Sequence, residues 1–191
     1  MTNFYVFAVI RYAWLSLGLI WLIALAFTKR VVRSQPGGAR LFQLAVLFLG
    51  YCLLSGRWFH DGWLGVSFIP ENDGVRITGM AMTVLGGLFA IWARLTLGGN
   101  WSGRVTVKED HELIVKGPYA VTRHPIYSGI LLAYAGTAFA VGKWHGLVGL
   151  CVILIGLMIK MSREERLMME TFPDAYPQYR QRVKALIPGI F

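Results

Sequence analysis

Gly117-Pro118-Tyr119-Ala120-Val121-Thr122-Arg123-His124-Pro125-Ile126-Tyr127 is a polar and aromatic stretch that ends where a long apolar run begins. Pro118 and Pro125 fix φ and bias the residues before them, Gly117 and His124, toward extended backbone, which predicts a defined loop here and not a helix. Pro125 suits the first turn of a new helix, where a missing N–H costs nothing. The start of that helix, flanked by Arg123 and His124, is predicted to welcome an anionic group. The same two residues can equally anchor a membrane helix to lipid headgroups. Either way, the junction marks a membrane surface.

Outward from this stretch the composition agrees. Of 191 residues, 55% are hydrophobic and 15% charged, and the charges crowd into short segments between apolar runs. A soluble domain of this length would carry a richer charged surface, so the pattern predicts an all-α integral membrane bundle of about five transmembrane helices, folded as a single domain over 1–191. The net charge of +9 lies beside the apolar runs, with no basic stripe or nucleic-acid module, so membrane lipids and not nucleic acid are the expected partners. Cys52 and Cys151 stand inside apolar runs without Cys or His at ligand spacing, and neither a metal site nor a disulfide is expected. The first residues carry no basic segment ahead of the apolar run and read as a retained span, not a removed signal.

The first predicted span runs from Phe4 to Phe27, with Arg11 snorkelling to the interface. Lys29, Arg30, Arg33 and Arg40 follow in a basic turn that the positive-inside rule assigns to the cytoplasm. The second span, Leu41 to Ser55, is short and extends into an aromatic belt of Trp58, Phe59 and Trp63. The connection from Gly56 to Arg76 has no basic excess and is placed outside. The third span covers Ile77 to Leu97, and Gly98 to His124 returns to the basic side. Spans four, Pro125 to Val141, and five, Gly146 to Lys160, form a hairpin, with Gly129, Ala133 and Gly136 as a small-residue packing face on the former. Good helix formers continue span five past the membrane until Pro173. This arrangement puts the N-terminus outside and the C-terminus in the cytoplasm, as in a prokaryotic inner membrane. Spans one to three make up 1–97, and 98–191 holds the concentrated polar chemistry.

That chemistry lies in clusters that an antiparallel hairpin would bring together: Leu97 to Ser102, His111-Glu112-Leu113-Ile114, and the Gly117 to Tyr127 stretch facing Lys160, Arg163, Glu164 and Glu165. Glu164 is one turn from Lys160, and for isolated charges a surface i,i+4 ion pair is the simplest role. Glu165 is displaced by about 100° on the helix and is expected to point away.

Taken in order and spacing, these clusters, with Phe172, Tyr176, Tyr179, Arg182 and Val183, resemble the isoprenylcysteine carboxyl methyltransferase family of integral membrane methyltransferases, from Leu97 to the end of the chain. The resemblance implies S-adenosylmethionine as cofactor. It implies that His111, Glu112, Leu113, Ile114, Tyr119, His124, Pro125, Ile126, Tyr127 and Glu164 bind it in a cytoplasmic loop and helix extension. Glu164 would accept its ammonium, and His124 with the span-four start would hold its carboxylate. Tyr119 or Tyr127 would lie against the adenine or sulfonium. The acceptor it implies is lipophilic, most simply a carboxylate such as a prenylcysteine C-terminus. The family has an arginine four residues before the cofactor-binding glutamate, near the substrate carboxyl group, where this chain has Lys160, with Arg163 one turn along as a substitute. These two are the candidates for orienting the acceptor. The other readings are a sterol-reductase-like enzyme using NADPH and a non-catalytic membrane scaffold.

Overall fold

The computed structural model describes residues 2–27, 31–34, 37–56, 62–100, 106–108 and 113–190. Lys29, Arg30, Trp58 and Phe59, named above for the basic turn and the aromatic belt, lie outside them.

Five long apolar helices form the bundle: α1 (Thr2–Leu25), α2 (Gly37–Ser55), α3 (Asp73–Leu97), α4 (Pro125–Val141) and α5 (Trp144–Thr171). By length and composition, Thr2–Ala24, Asp73–Leu97 and Trp144–Thr171 can cross a membrane, while Leu41–Ser55 and Pro125–Val141 are shorter apolar helices. Together they make an all-α integral membrane bundle. Its outer surface is apolar, as a lipid-facing one must be: Leu15, Leu19 and Leu22 of α1 and Leu85, Leu88 and Leu95 of α3 are exposed. Arg11 is exposed as well, which fits its interfacial reading.

Local chemistry explains the helix ends. Asn72 caps α3, its side chain accepting from the Val75 N–H at 2.9 Å, and Pro125 opens α4. Gly142 closes α4 in the left-handed conformation with its N–H on the Ala138 carbonyl. The α5 helix runs past the expected span and stops at Thr171, before Pro173, as its composition predicts. A short final helix, α6 (Ala175–Arg182), follows.

In space α4 lies most extensively against α3, α1 packs on α3 and reaches α4, and α5 packs on α4 and α2. The small-residue face of α4 is real, and its partner is α3. A methyl placed on Gly136 would lie 2.5 Å from the Gly79 carbonyl oxygen and the Thr83 nitrogen, and one on Gly129 would lie 2.6 Å from the Ala90 nitrogen and the Gly86 oxygen. The backbones touch, so no Cβ fits between them. Gly136→Ala should therefore push α3 and α4 apart and lower stability by about 1 to 3 kcal/mol. An unchanged thermal midpoint in detergent would contradict the close approach. Where α1 crosses this pair, Trp14 donates through Nε1 to Thr137 Oγ1 at 3.0 Å, and Thr137 Oγ1 is 3.1 Å from Thr83 Oγ1.

Two short strands, β1 (Val31–Ser34) and β2 (Thr106–Lys108), pair antiparallel with Val31 opposite Lys108 and Ser34 opposite Thr106. This ribbon ties Val31–Ser34, between α1 and α2, to Thr106–Lys108, after α3. The main core cluster holds Ala93, Tyr119, Ile126, Tyr127, Ile153, Leu157 and Met161, with Trp21 of α1 and Leu47 of α2 packed against it.

Candidate active site

The antiparallel hairpin of α4 and α5 sets the first turn of α4 beside the projecting end of α5. That places His124 and Tyr127 opposite Glu164 and Glu165. The two glutamates are then treated very differently.

Glu165 is saturated. Its Oε1 accepts from Arg123 Nε at 2.9 Å and Nη2 at 2.6 Å and lies 3.2 Å from His124 Nε2, while Oε2 lies 3.5 Å from Arg180 Nε. The expectation that Glu165 points away is therefore corrected. A helix end packed on one side only would expose a residue about 100° round, but Glu165 is met from the α4 start by Arg123 and from α6 by Arg180. Arg123 is corrected too. Its guanidinium is spent on Glu165 and on the carbonyls of Val183, at 2.5 Å, and Arg180, at 3.3 Å, so it is neither a lipid anchor nor an open anion receptor.

The helix start is likewise already engaged. The N–H of Arg123 donates to the Lys184 carbonyl at 2.8 Å and that of His124 to the Ala185 carbonyl at 3.0 Å. Thr122 Oγ1 also donates to Ala185, and Ser128 Oγ donates to the Leu186 carbonyl at 2.6 Å. The N–H groups of Tyr127 and Ser128 turn back onto the His124 carbonyl. Residues 183–186 thus form a strap over the loop at the start of α4.

Glu164 is different. Its Oε1 receives one short hydrogen bond, from Tyr127 Oη at 2.6 Å. Lys160 Nζ is 3.7 Å from Oε1 and His124 Nδ1 is 3.8 Å from Oε2, and the side chain is 22% exposed. Among the described residues it is a carboxylate with acceptor capacity left over. The expected i,i+4 pair with Lys160 forms, yet at 10% exposure the lysine is no surface residue; Nζ lies 5.3 Å from the centre of the Tyr127 ring. Arg163 is half-buried and makes none of these contacts. The His124 ring stacks on Tyr127, with centroids 5.5 Å apart and planes 4° from parallel.

Tyr119 is buried at 7% exposure on a tight turn, Gly117–Ala120, and its carbonyl accepts from Tyr179 Oη at 2.6 Å. Burial first, and then the Glu164 charge, pushes the Tyr119 phenol well above its ordinary range. Tyr176 rises mainly through burial, and Tyr179 is pushed up to about 12 by burial and by Glu165, against the opposing pull of Arg123. All three stay protonated at neutral pH, so none is a general base. Gly117 departs from the extended backbone expected before a proline: its φ is +60°, where a residue lacking Cβ escapes the usual clash, and a Cβ there would meet Thr96 Cγ2 at 3.4 Å.

Of the other residues singled out in the sequence, Pro125 and Ile126 are buried, and Ile114 packs on the core cluster with Leu113 half-buried beside it. His111, Glu112, Trp101 and Ser102 lie outside the described residues. Among those described, no three His, Cys, Asp or Glu side chains are grouped as metal ligands. One residue escaped the sequence reading. Arg94, 3% exposed, donates from Nη1 to the Gly98 carbonyl and from Nη2 to the Ala24 carbonyl, each at 2.8 Å, joining the ends of α3 and α1. A lone arginine near the end of an apolar run was the available signal, since a cation there satisfies helix carbonyls.

Comparison with known proteins gives the same direction. The chain is 27% identical over 115 residues to protein-S-isoprenylcysteine O-methyltransferase B of Arabidopsis thaliana, covering 59% of this chain and 58% of the relative. It is 32% identical over 101 residues to the protein-S-isoprenylcysteine O-methyltransferase of Schizosaccharomyces pombe, covering 51% and 43%. Methanethiol S-methyltransferase 1 of Bradyrhizobium diazoefficiens is 38% identical over 71 residues, 37% of this chain and 24% of that protein. Each match thus spans less than two thirds of the relative's own length. Residues 75–175, more than half of the chain and including Tyr119, His124, Tyr127 and both glutamates, match the phospholipid methyltransferase family. The chain belongs to this family of membrane methyltransferases, which takes in the isoprenylcysteine carboxyl methyltransferases it resembles.

Proposed function

We propose that this integral membrane protein is an S-adenosylmethionine-dependent methyltransferase acting on a lipophilic acceptor, a carboxylate of the prenylcysteine type, at the cytoplasmic face. The observation that carries the reading is the contrast between the two glutamates: Glu165 is gripped by Arg123 and His124, whereas among the described residues Glu164 receives one short hydrogen bond, from Tyr127, and is 22% exposed. An ammonium suits that carboxylate by charge and hydrogen-bonding type. The buried aromatic groups beside it, Tyr119 and Tyr127, suit an adenine or a sulfonium. The family and its named relatives support the same reaction class.

When bound, the cofactor supplies an electrophilic methyl group on sulfur. The residues here then bind and orient. Glu164 holds the ammonium, and Tyr127 fixes the carboxylate through its hydrogen bond. Lys160, one turn before that carboxylate on α5, and Arg163 beside it would be the residues to orient an anionic head arriving from the membrane. A carboxylate acceptor is already a nucleophile at neutral pH, so no base is needed, in keeping with protonated tyrosines around the site. Alignment and exclusion of water are what remain for the protein to provide.

Calorimetry of the purified protein against S-adenosylmethionine and, separately, NADPH tests the class. Binding of the first and not the second is expected, and the reverse result would favour a reductase. A thiol as acceptor, the substrate type named in the Bradyrhizobium relative, would be revealed by turnover of thiols and not of prenylcysteine carboxylates. The basic loops further support cytoplasmic placement of the site, with the N-terminus outside. Tags at the C-terminus should be reachable only from the cytoplasm, and a tag between Gly62 and Asn72 only from outside.

A further inference from the structure

We propose that the chain from Arg180 to Ile190 is a lipid-docking surface that seats the 183–186 strap on the bilayer, with Ile187 and Ile190 entering its apolar edge and Arg182 and Lys184 meeting anionic headgroups. This surface is separate from Glu164 and holds whichever cofactor binds there.

The strap runs into a fixed apolar turn. The Ile190 N–H donates to the Ile187 carbonyl at 3.1 Å, Pro188 sets the second position, and Gly189, with φ at +75°, fills the third as a type II turn requires. A turn of this kind holds its first and last residues within about 7 Å of one another. Those residues are Ile187 and Ile190, which are 52% and 76% exposed. Val121, beside the Thr122 that donates to Ala185, is exposed as well. Paired aliphatic side chains held out by non-helical chain are unfavourable in water and at home in lipid.

The depth of the turn agrees. Leu186 is buried in the core cluster with Ile126 and Tyr127, and its carbonyl accepts from Ser128 Oγ at 2.6 Å. Ser128 lies three residues into α4, about 4.5 Å along the helix from Pro125. The chain therefore leaves Leu186 for the turn at the level of the first turn of an apolar helix.

Charge selects the same partner. From Arg180 to Ile190 there are three basic residues and no acidic one. Arg180 leans on Glu165, its Nε 3.5 Å from Oε2, whereas Arg182 and Lys184 are exposed. Basic side chains beside an apolar insertion hold a segment at an anionic surface, each contributing roughly a fivefold gain in binding. A second copy seated on the same surface would bring like charges together, which disfavours it. Because the carbonyls of Lys184 and Ala185 hold the N–H groups of Arg123 and His124, lifting the strap also draws the turn out of the lipid. The bilayer is thereby coupled to the loop that carries His124.

The test uses the full chain in nanodiscs of phosphatidylcholine, with and without phosphatidylglycerol. A nitroxide on Ile190→Cys, with Cys52 and Cys151 replaced by Ser, should collide with oxygen more often than with a water-soluble nickel chelate. A nitroxide on Gln178→Cys, exposed on α6, should show the opposite. Ile187→Cys serves as the second variant if the first fails to fold. Adding phosphatidylglycerol should slow hydrogen exchange at the Arg123 and His124 N–H groups about five- to thirtyfold, the combined effect of one to two basic residues at an anionic surface. Arg182→Gln with Lys184→Gln should abolish that difference between lipids. Nickel accessibility at both isoleucine positions equal to that at Gln178 would overturn the insertion. Spin–spin broadening between labels would overturn it too, by showing that a second copy covers the turn. Exchange that ignores lipid charge in the wild type would overturn the headgroup contacts.

Discussion

Replacing Glu164 by Gln is expected to weaken S-adenosylmethionine binding about tenfold to a hundredfold, the loss of one charge-assisted hydrogen bond worth roughly 1.5 to 3 kcal/mol. The amide keeps the shape of the side chain and can still accept from Tyr127, so the local fold should hold. What disappears is the negative charge facing the open side of the site. Stability should change little, because the partners that Glu164 loses, Lys160 and His124, stand 3.7 and 3.8 Å away and contribute weakly. Calorimetric affinity and thermal midpoint, measured on the same preparation, separate the two effects. Equal cofactor affinity in wild type and Glu164→Gln would remove Glu164 from the cofactor site.

Arg123→Met should do the opposite, costing stability before it touches affinity. The guanidinium is paired with Glu165 inside the protein, the two side chains being 9% and 13% exposed, and it also holds the carbonyls of Val183 and Arg180. Removing one partner of such a pair leaves an uncompensated carboxylate and costs about 3 to 5 kcal/mol. The strap at 183–186 should loosen with it, read as faster hydrogen exchange at His124 and Arg123, whose N–H groups donate to Ala185 and Lys184. Pairing Arg123→Met with Glu165→Leu should recover part of the loss, since no charge is then stranded. A single variant with an unchanged melting midpoint would show that the pair is not the fastening described.

Local features of the chain were legible without the structure because they are local. Pro125 and Val141 bound α4 as expected, α5 projects until just before Pro173, and Gly129, Ala133 and Gly136 form a contact face. Proline chemistry, helix propensity and the cost of a side chain at a backbone contact act over a few residues each. The meeting of the α4 start with the far end of α5 was legible for a related reason. A short turn at Gly142 and Lys143 forces α4 and α5 antiparallel, which carries His124 and Tyr127 to Glu164 whatever the rest of the bundle does.

What only the tertiary structure decided is which neighbour each face meets. In water an apolar stripe marks the buried side of a helix, but in a bilayer lipid and protein interior are equally apolar, so the face of α4 could not name α3 as its partner. For the same reason Arg94 gave no sign that it joins α3 to α1. Glu164 and Glu165 are adjacent and chemically identical, and no pattern in the chain distinguishes them. Their difference arises from residues far away in sequence: Arg123 and Arg180 meet Glu165, whereas among the described residues Glu164 meets Tyr127, His124 and, one turn back, Lys160. Sequence by itself determined the helices, their order and the chemical groups at one end of the bundle. The three-dimensional packing determined which carboxylate is gripped by the Arg123 guanidinium and which, among the described residues, meets only Tyr127, Lys160 and His124, because Arg123, Tyr127 and His124 are brought there by the folded chain and not by nearness in sequence.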